Sequence, residues 1–491
     1  MPGTVTSNRD SKTSALVDAG VFYSLLIVIL LAAIPYGSVE PWWKALFQCL
    51  IFALAVASIA GQLISRGSGR SLDQEPRRVV LPVLALIAFA LVQAIPWSSA
   101  NLPGIEASWA LSSDPFQTWL FVIHLTSLVL LAWLLLKHTT TERRLRLLVH
   151  VIIVVGILSA FFGIWRQARQ RDVGFFLPYL RPALGYGQFV NSNHFAFLME
   201  LGLGLALGIV VARGVAGRRA IVYLAAAVPM WVALVLANSR GGILSLLCQV
   251  VFLALLWGMK HGERRSTDAK ETGRERRSRR RSENRLARTG RMVAIRAVLV
   301  FALLGGAVAT LVLVGGDPLG GRLETVPMEL DQQTADLATL RQSIWRATWD
   351  MIKDRPLAGV GFGAYAVAIP KYHRASGQLT PQEAHNDYLE LLASGGVVGL
   401  GLGIWFLVAF SRAAYRRVRS DRATARSFWR AAKIGALAGI FAVCVHSLVD
   451  FGLHIPINAW VLSALVAIVL MPAPEVRTED LPPAEMQRMA A

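Results

Sequence analysis

The chain returns repeatedly to uninterrupted apolar runs of roughly 17 to 23 residues, the length a helix needs to cross a hydrocarbon layer. In lipid there is no water for the backbone amides and carbonyls to bond, so each run must satisfy them within itself. The runs lie near 16–34, 42–64, 79–95, 116–136, 145–165, 195–211, 220–237, 243–259, 293–314, 391–410, 431–449 and 457–471. They are continuous and do not alternate, which disfavours strands and barrels. With 54% of residues hydrophobic and 16% charged, the expectation is an all-α polytopic membrane protein of about twelve transmembrane helices. Its parts are transmembrane helices 1 to 8 in 1–258, a basic loop at 259–292, helices 9 to 12 in 293–471 with a large loop at 315–390, and a tail at 472–491.

Loop charge orients these helices. Segments 66–78, 137–146, 213–219, 260–291 and 412–430 are rich in Lys and Arg and alternate with poorer ones, so both termini are expected in the cytoplasm and loop 315–390 on the opposite side. The first run lacks a small-residue cleavage site and reads as a retained helix. A net charge of +19 invites a nucleic-acid reading. The basic residues sit between spans, however, and RERRSRRRSENR has no interleaved aromatics, so contact with membrane lipids fits better and no nucleic-acid partner is expected. Cys49, Cys248 and Cys444 fall inside apolar runs without CxxC spacing, which argues against a disulfide framework or a zinc site.

The longest polar stretch with a folded pattern is 341–403. Ile344, Ala347, Met351 and Ile352 continue a helical stripe from Leu337 and Leu340, and the helix should stop at Asp354-Arg355-Pro356. Next comes His385-Asn386-Asp387-Tyr388, with Glu390 close behind, directly before an apolar span. A neutral imidazole here can take a proton from a hydroxyl, with Asp387 or Glu390 orienting it; alternatively Asn386 or Asp387 caps the helix and His385 is merely exposed. Arg240, in Asn-Ser-Arg-Gly-Gly, suits a phosphate because its planar fork donates two parallel bonds, although a lone Arg at a span end also snorkels. Arg341, Trp345 and Trp349 share a helix face, which fits either sugar rings or an interfacial anchor. His194, in Phe-Val-Asn-Ser-Asn-His-Phe, and the run from His446 through Asp450 to His454 mark two further span ends. No HExxH or paired ligand spacing is present, and Gly359-Val360-Gly361-Phe362-Gly363 lacks the strand and helix of a dinucleotide site, so neither a metal nor a cofactor is expected.

Together NSRGG, DRPLAGVGFGAY, AHNDYLELLASGGVVGLGLG and HSLVDFGLHIP, in this order, resemble the O-antigen ligase and polymerase superfamily of bacterial membrane proteins. The resemblance implies a glycosyltransferase C-type helical architecture and a polyprenyl-diphosphate-linked glycan donor. It also implies that Arg240 and Arg341 hold the diphosphate, that His385 acts near the acceptor, and that no metal is needed. Arg346, Arg355 and Arg374 are the other arginines of the same loop. His194, Asn386, Asp387, Tyr388, Glu390 and Asp450 are expected to support the site. The function expected is an inner-membrane glycosyltransferase acting at the periplasmic face, a polysaccharide polymerase first. Ligation to lipid A core or to a protein hydroxyl is the alternative within the class, so the acceptor is a glycan, lipid or protein. A lipid-linked glycan flippase is the alternative of another class, and it should carry ionisable residues near mid-span.

Overall fold

In the computed structural model the described residues are 4–64, 74–102, 105–169, 185–268, 341–373, 381–420 and 428–472. Before residue 269 the chain forms α1 (Thr4–Ala32), α2 (Pro41–Ile64), α3 (Gln74–Ala94), α4 (Pro115–His138), α5 (Glu142–Ala168), α6 (Ser192–Val211), α7 (Arg218–Leu236) and α8 (Arg240–Asp268). From residue 341 onward it forms α9 (Arg341–Asp354), α10 (Tyr365–Ala368), α11 (Asp387–Ser420), α12 (Phe428–His446) and α13 (Pro456–Leu470). Among the described residues nine helices are long and apolar enough to cross a membrane, and the apolar parts of α8 and α13 are shorter. Run 293–314, most of the basic loop, Arg374, segment 315–340 and the tail beyond 472 lie outside the described residues.

Leu63, Ile221, Val222 and Leu255 are exposed on helix faces. Such faces suit a lipid solvent, where exposed apolar surface costs nothing. One element departs from the all-helical expectation. Pro96–Leu102 and Ile105–Ala110 pair as an antiparallel hairpin, β1 and β2, between α3 and α4. This segment is a polar connection without helical periodicity, so cross-strand pairing is the remaining way to satisfy its backbone.

Helix α6 is the axis of the bundle, buried continuously from His194 to Ile209. It crosses α12 through glycines: a side chain on Gly204 would strike the backbone of Gly439, and one on Gly208 the backbone of Gly435. Small residues spaced four apart on both helices let the backbones touch, which is how helices associate where lipid leaves no hydrophobic drive between them.

Helix α11 is broken at Gly396, whose backbone (φ 60°, ψ −163°) suits only glycine. The chain from Pro356 to Gly361 lies along the break. Val360 and Gly361 donate to the carbonyls of Ala393 (2.9 Å) and Ser394 (3.0 Å), while the amides of Val397 and Val398 donate to Pro356 (2.8 Å) and Leu357 (3.3 Å). Gln93, at the end of α3, completes the seam by donating to Ala358 (2.6 Å) and Ser394 (3.0 Å) and accepting from Phe362 (3.3 Å). The glycine-rich loop and the glycine-rich helix start are therefore one hydrogen-bonded unit, and it sets the position of the residues just before α11.

Gly208→Leu should lower stability by about 1 to 3 kcal/mol or more through overpacking against α12. Gly401→Ala, where an added Cβ meets nothing within 4 Å, should leave the thermal midpoint in detergent unchanged.

Candidate active site

The site grows from helix ends that meet at one end of the bundle. Asn386 caps α11, its side-chain oxygen accepting from the amides of Tyr388 and Leu389 at 3.0 Å each. The capping alternative thus holds for Asn386, while His385 is largely buried rather than merely exposed. His385 itself is in the left-handed region, with φ 52°, a conformation a non-glycine residue holds only where its surroundings demand it. Helix α9 ends at Asp354 as expected, and the indole of Trp345 donates to the carbonyl of Ala384 at 2.9 Å. This ties α9 to the residue next to His385. Trp349, in contrast, is half exposed.

Asp450 stands at the centre. It follows α12, and its fully buried carboxylate accepts from Arg341 Nη2 (3.1 Å), the Phe451 amide (2.9 Å) and the side chain of Asn193. His194 Nε2 lies 3.8 Å from it and His385 Nδ1 3.9 Å. The Phe451 ring stands edge-on between the two imidazoles, at 4.6 Å from His194 and 4.7 Å from His385. The structure thus gathers Arg341, His385, His194 and Asp450, all singled out in the sequence, around one carboxylate. Arg355, a rival to Arg341, instead donates to the Leu111 carbonyl at 3.0 Å.

Burial lowers the pKa of His385 below its ordinary 6.5, and the Arg341 charge lowers it further, against the opposing pull of Asp450 and Glu383. The imidazole is therefore neutral at neutral pH and ready to accept a proton. Among the described residues its Nδ1 is buried without a hydrogen-bond partner. At 3.9 Å from Asp450 Oδ1, that nitrogen needs only a small closure to donate to the carboxylate, which would leave the Nε2 lone pair open to a proton.

A second cluster adjoins the first. His454 Nδ1 lies 3.1 Å from Glu383, and its Nε2 lies 3.4 Å from Glu390 and 3.7 Å from Asp387. Burial opposes charge on His454, but Glu383 and Glu390 more than reverse that effect and hold its pKa well above 6.5. Glu383, Glu390 and His454 are near enough to one another to hold a metal ion. They could do so only after the imidazole loses its proton, since a protonated ring has no lone pair to give. As a set they offer several carboxylate acceptors to hydroxyl-rich ligands. Glu383 went unremarked in the sequence, although it lies two positions before His385.

Other expected residues have structural duties. The Asp387 amide donates to Ser447 at 3.0 Å, the Tyr388 hydroxyl to Cys444 at 2.8 Å, and Glu390 accepts from the Ala384 amide at 2.9 Å. Arg240 opens α8 at the same end of the bundle, where Gly241 packs against His446 and Val449. The sequence reading groups His446 with Asp450 and His454, and here the structure differs. His446 turns inward and pairs with Glu200 at 2.7 Å, both fully buried. The last residue of a helix can face the core as readily as the loop beyond it. Glu200 lies within α6, so ionisable groups are not confined to the helix ends.

What these elements define is a multi-pass helical membrane protein with histidines, an arginine and clustered carboxylates at one end of its bundle. Residues 225–404 match the family model described as O-antigen ligase. Over that stretch, which is less than half of the chain, the protein is similar to O-antigen ligases. The match includes Arg240, Arg341 and His385, while His194, Asp450 and His454 lie outside it, at the start of α6 and in the connection between α12 and α13. No curated protein matches the chain.

His385 should titrate below 6.5, and Arg341→Gln should raise its pKa, because the guanidinium charge that disfavours the imidazolium is then gone. Histidine-selective NMR against pH measures both, and a pKa that stays put in Arg341→Gln would contradict the geometry.

Proposed function

We propose that the chain is an inner-membrane glycosyltransferase joining a polyprenyl-diphosphate-linked oligosaccharide to an acceptor hydroxyl at the periplasmic face. Polymerisation of a surface or secreted polysaccharide is the preferred reaction. The observation that carries this reading is the convergence of a neutral histidine, His385, and a guanidinium, Arg341, on the buried Asp450. Sidedness is supported by charge. The site lies at the helix ends opposite Ile64, Gln74, His138, Glu142, Val211, Arg218, Ser420 and Phe428, the ends that border the Lys- and Arg-rich segments 66–78, 137–146, 213–219 and 412–430 and would face the cytoplasm with both termini.

In the proposed reaction His385 takes the proton of the acceptor hydroxyl as its oxygen attacks the anomeric carbon. The bond from that carbon to the diphosphate oxygen breaks, and the diphosphate departs with the electron pair. Arg240 and Arg341 screen its charge, and the sugar inverts. A diphosphate is already a good leaving group, so guanidinium groups suffice and no metal is required. Asp450 holds Arg341 and stabilises the imidazolium once it forms. Glu383, the most exposed acid of the second cluster, offers an acceptor to sugar hydroxyls, and with the site at the membrane surface the polyprenyl tail stays in lipid while the glycan stays in water.

His385→Ala should still bind lipid-linked donor yet lose about two to four powers of ten in transfer, the usual worth of a general base. Arg240→Lys should lose about 1 to 3 kcal/mol in donor binding or transition-state stabilisation, because an ammonium cannot make the two-pronged contact. Both are measured with purified protein and a polyprenyl-diphosphate-linked oligosaccharide. Long glycan on the carrier identifies a polymerase, glycan on lipid A core or protein a ligase, and carrier moved across vesicles without transfer a flippase. In a cysteine-free background, Val367→Cys should react with impermeant reagents from the periplasm only; labelling from the cytoplasm would reverse the topology.

A further inference from the structure

A carboxylate and an imidazole sealed inside a membrane bundle are expensive, and the Glu200–His446 pair takes no part in the reaction described above. Glu200 Oε1 lies 2.7 Å from His446 Nδ1, and neither side chain has any exposure. The imidazole is stacked on Phe197, with ring centroids 4.1 Å apart and planes 17° from parallel. These two contacts leave the ring no freedom to turn. Its other nitrogen, Nε2, is buried without a hydrogen-bond partner among the described residues, as is the second oxygen of Glu200.

The ring lies directly beneath the start of α8. A Cβ built on Gly241 would come within 2.6 Å of both His446 Nε2 and its neighbouring ring carbon, and within 2.9 Å of Val449. The first turn of α8 therefore rests on the imidazole with only a glycine between them, and the residue before that glycine is Arg240. The same turn is closed by Ser239, whose hydroxyl accepts from the Gly242 amide at 3.0 Å. On its other side His446 supports the centre of the site, because its carbonyl accepts from the Asp450 amide at 3.1 Å. One residue thus supports both the helix start that bears Arg240 and the turn that bears Asp450.

We propose that Glu200 and His446 form a buried positioning pair that sets the first turn of α8 through Gly241 and so places Arg240 for the donor diphosphate. The inference rests on the reading of Arg240 as a diphosphate ligand. Glu200 locks the ring by accepting from Nδ1, Phe197 fixes its plane, and the ring edge sets how closely α8 approaches. Two guanidinium donors must meet two phosphate oxygens at once, so a shift of a few tenths of an ångström at the helix start is felt in binding.

The test is a double-substitution cycle on purified full-length protein, reading donor binding and kcat with a polyprenyl-diphosphate-linked oligosaccharide, and thermal midpoint separately. His446→Ala and Gly241→Ala should each weaken donor binding about tenfold or more, the scale of a misaligned charged contact, with kcat at saturating donor changed far less. Glu200→Gln, which keeps an oxygen able to accept from Nδ1, should bind donor within about twofold of the parent. In an Arg240→Lys background, His446→Ala should weaken donor binding no further. Gly241→Ala adds one methyl at a helix start, so it carries the test if His446→Ala does not fold. Normal binding in folded His446→Ala and Gly241→Ala, beside impaired Arg240→Lys, overturns the positioning pair and leaves the Arg240 reading intact. Losses that add in the double variant also overturn it, since His446 would then act independently of Arg240. Normal donor binding in Arg240→Lys removes Arg240 as a ligand of the bound donor's diphosphate, and the proposal with it.

Discussion

A carboxylate buried without compensation would be among the most costly groups this bundle could contain, and Asp450 is made affordable by donors drawn from three separate parts of the chain. Arg341 comes from α9, Asn193 from the start of α6, and the Phe451 amide from its own turn. Remove the carboxylate and these groups have no reason to converge; remove the donors and the charge cannot remain. Arg341 is 44% exposed, so solvent screens part of its attraction. What the arrangement secures is geometry more than stability. It brings the loop helix α9 onto the membrane bundle and leaves His194 and His385 facing one another across Phe451.

The membrane architecture was legible because apolar runs of span length admit one solution in lipid. Eleven of the twelve runs lie in helices of the structure, and the other lies outside the described residues. The start of α11 was also legible, because Asn386 and the polar residues around it sit immediately before an apolar run, and the end of α9 at Asp354 followed from Pro356. Those are local signals. The pairings within the site are not local: Asn193 and Asp450 are 257 positions apart, Glu200 and His446 are 246 apart, and Arg341 and Asp450 are 109 apart. In a soluble helix, periodicity at least reveals which face turns inward. A lipid-facing side and a protein-facing side are equally apolar, so neither the inward turn of His446 nor the crossing of α6 and α12 leaves a mark in hydropathy.

The hairpin and Glu383 were missed for a different reason. Segment 96–110 shows neither period, and its pairing satisfies backbone groups that no helix takes up. Glu383 stood in plain view in the polar run before His385, but its partner His454 lies beyond two further helices. The signal that could have drawn attention to it is the acid count: Glu383, Asp387 and Glu390 within eight positions require a cation nearby, and His454 supplies it.

The break in α11 has a consequence for how such chains diverge. Because the segment from Pro356 to Gly361 bonds to the carbonyls and amides that Gly396 leaves open, the loop is not an appendage resting on a finished membrane helix. Each half completes the other's backbone, so neither can fold, drift in length or be exchanged between relatives alone. An insertion within 356–361 or 393–398 would break the seam's hydrogen bonds. A chimera that swaps the loop must carry both glycine-rich strands of the seam, together with Gln93 at its edge.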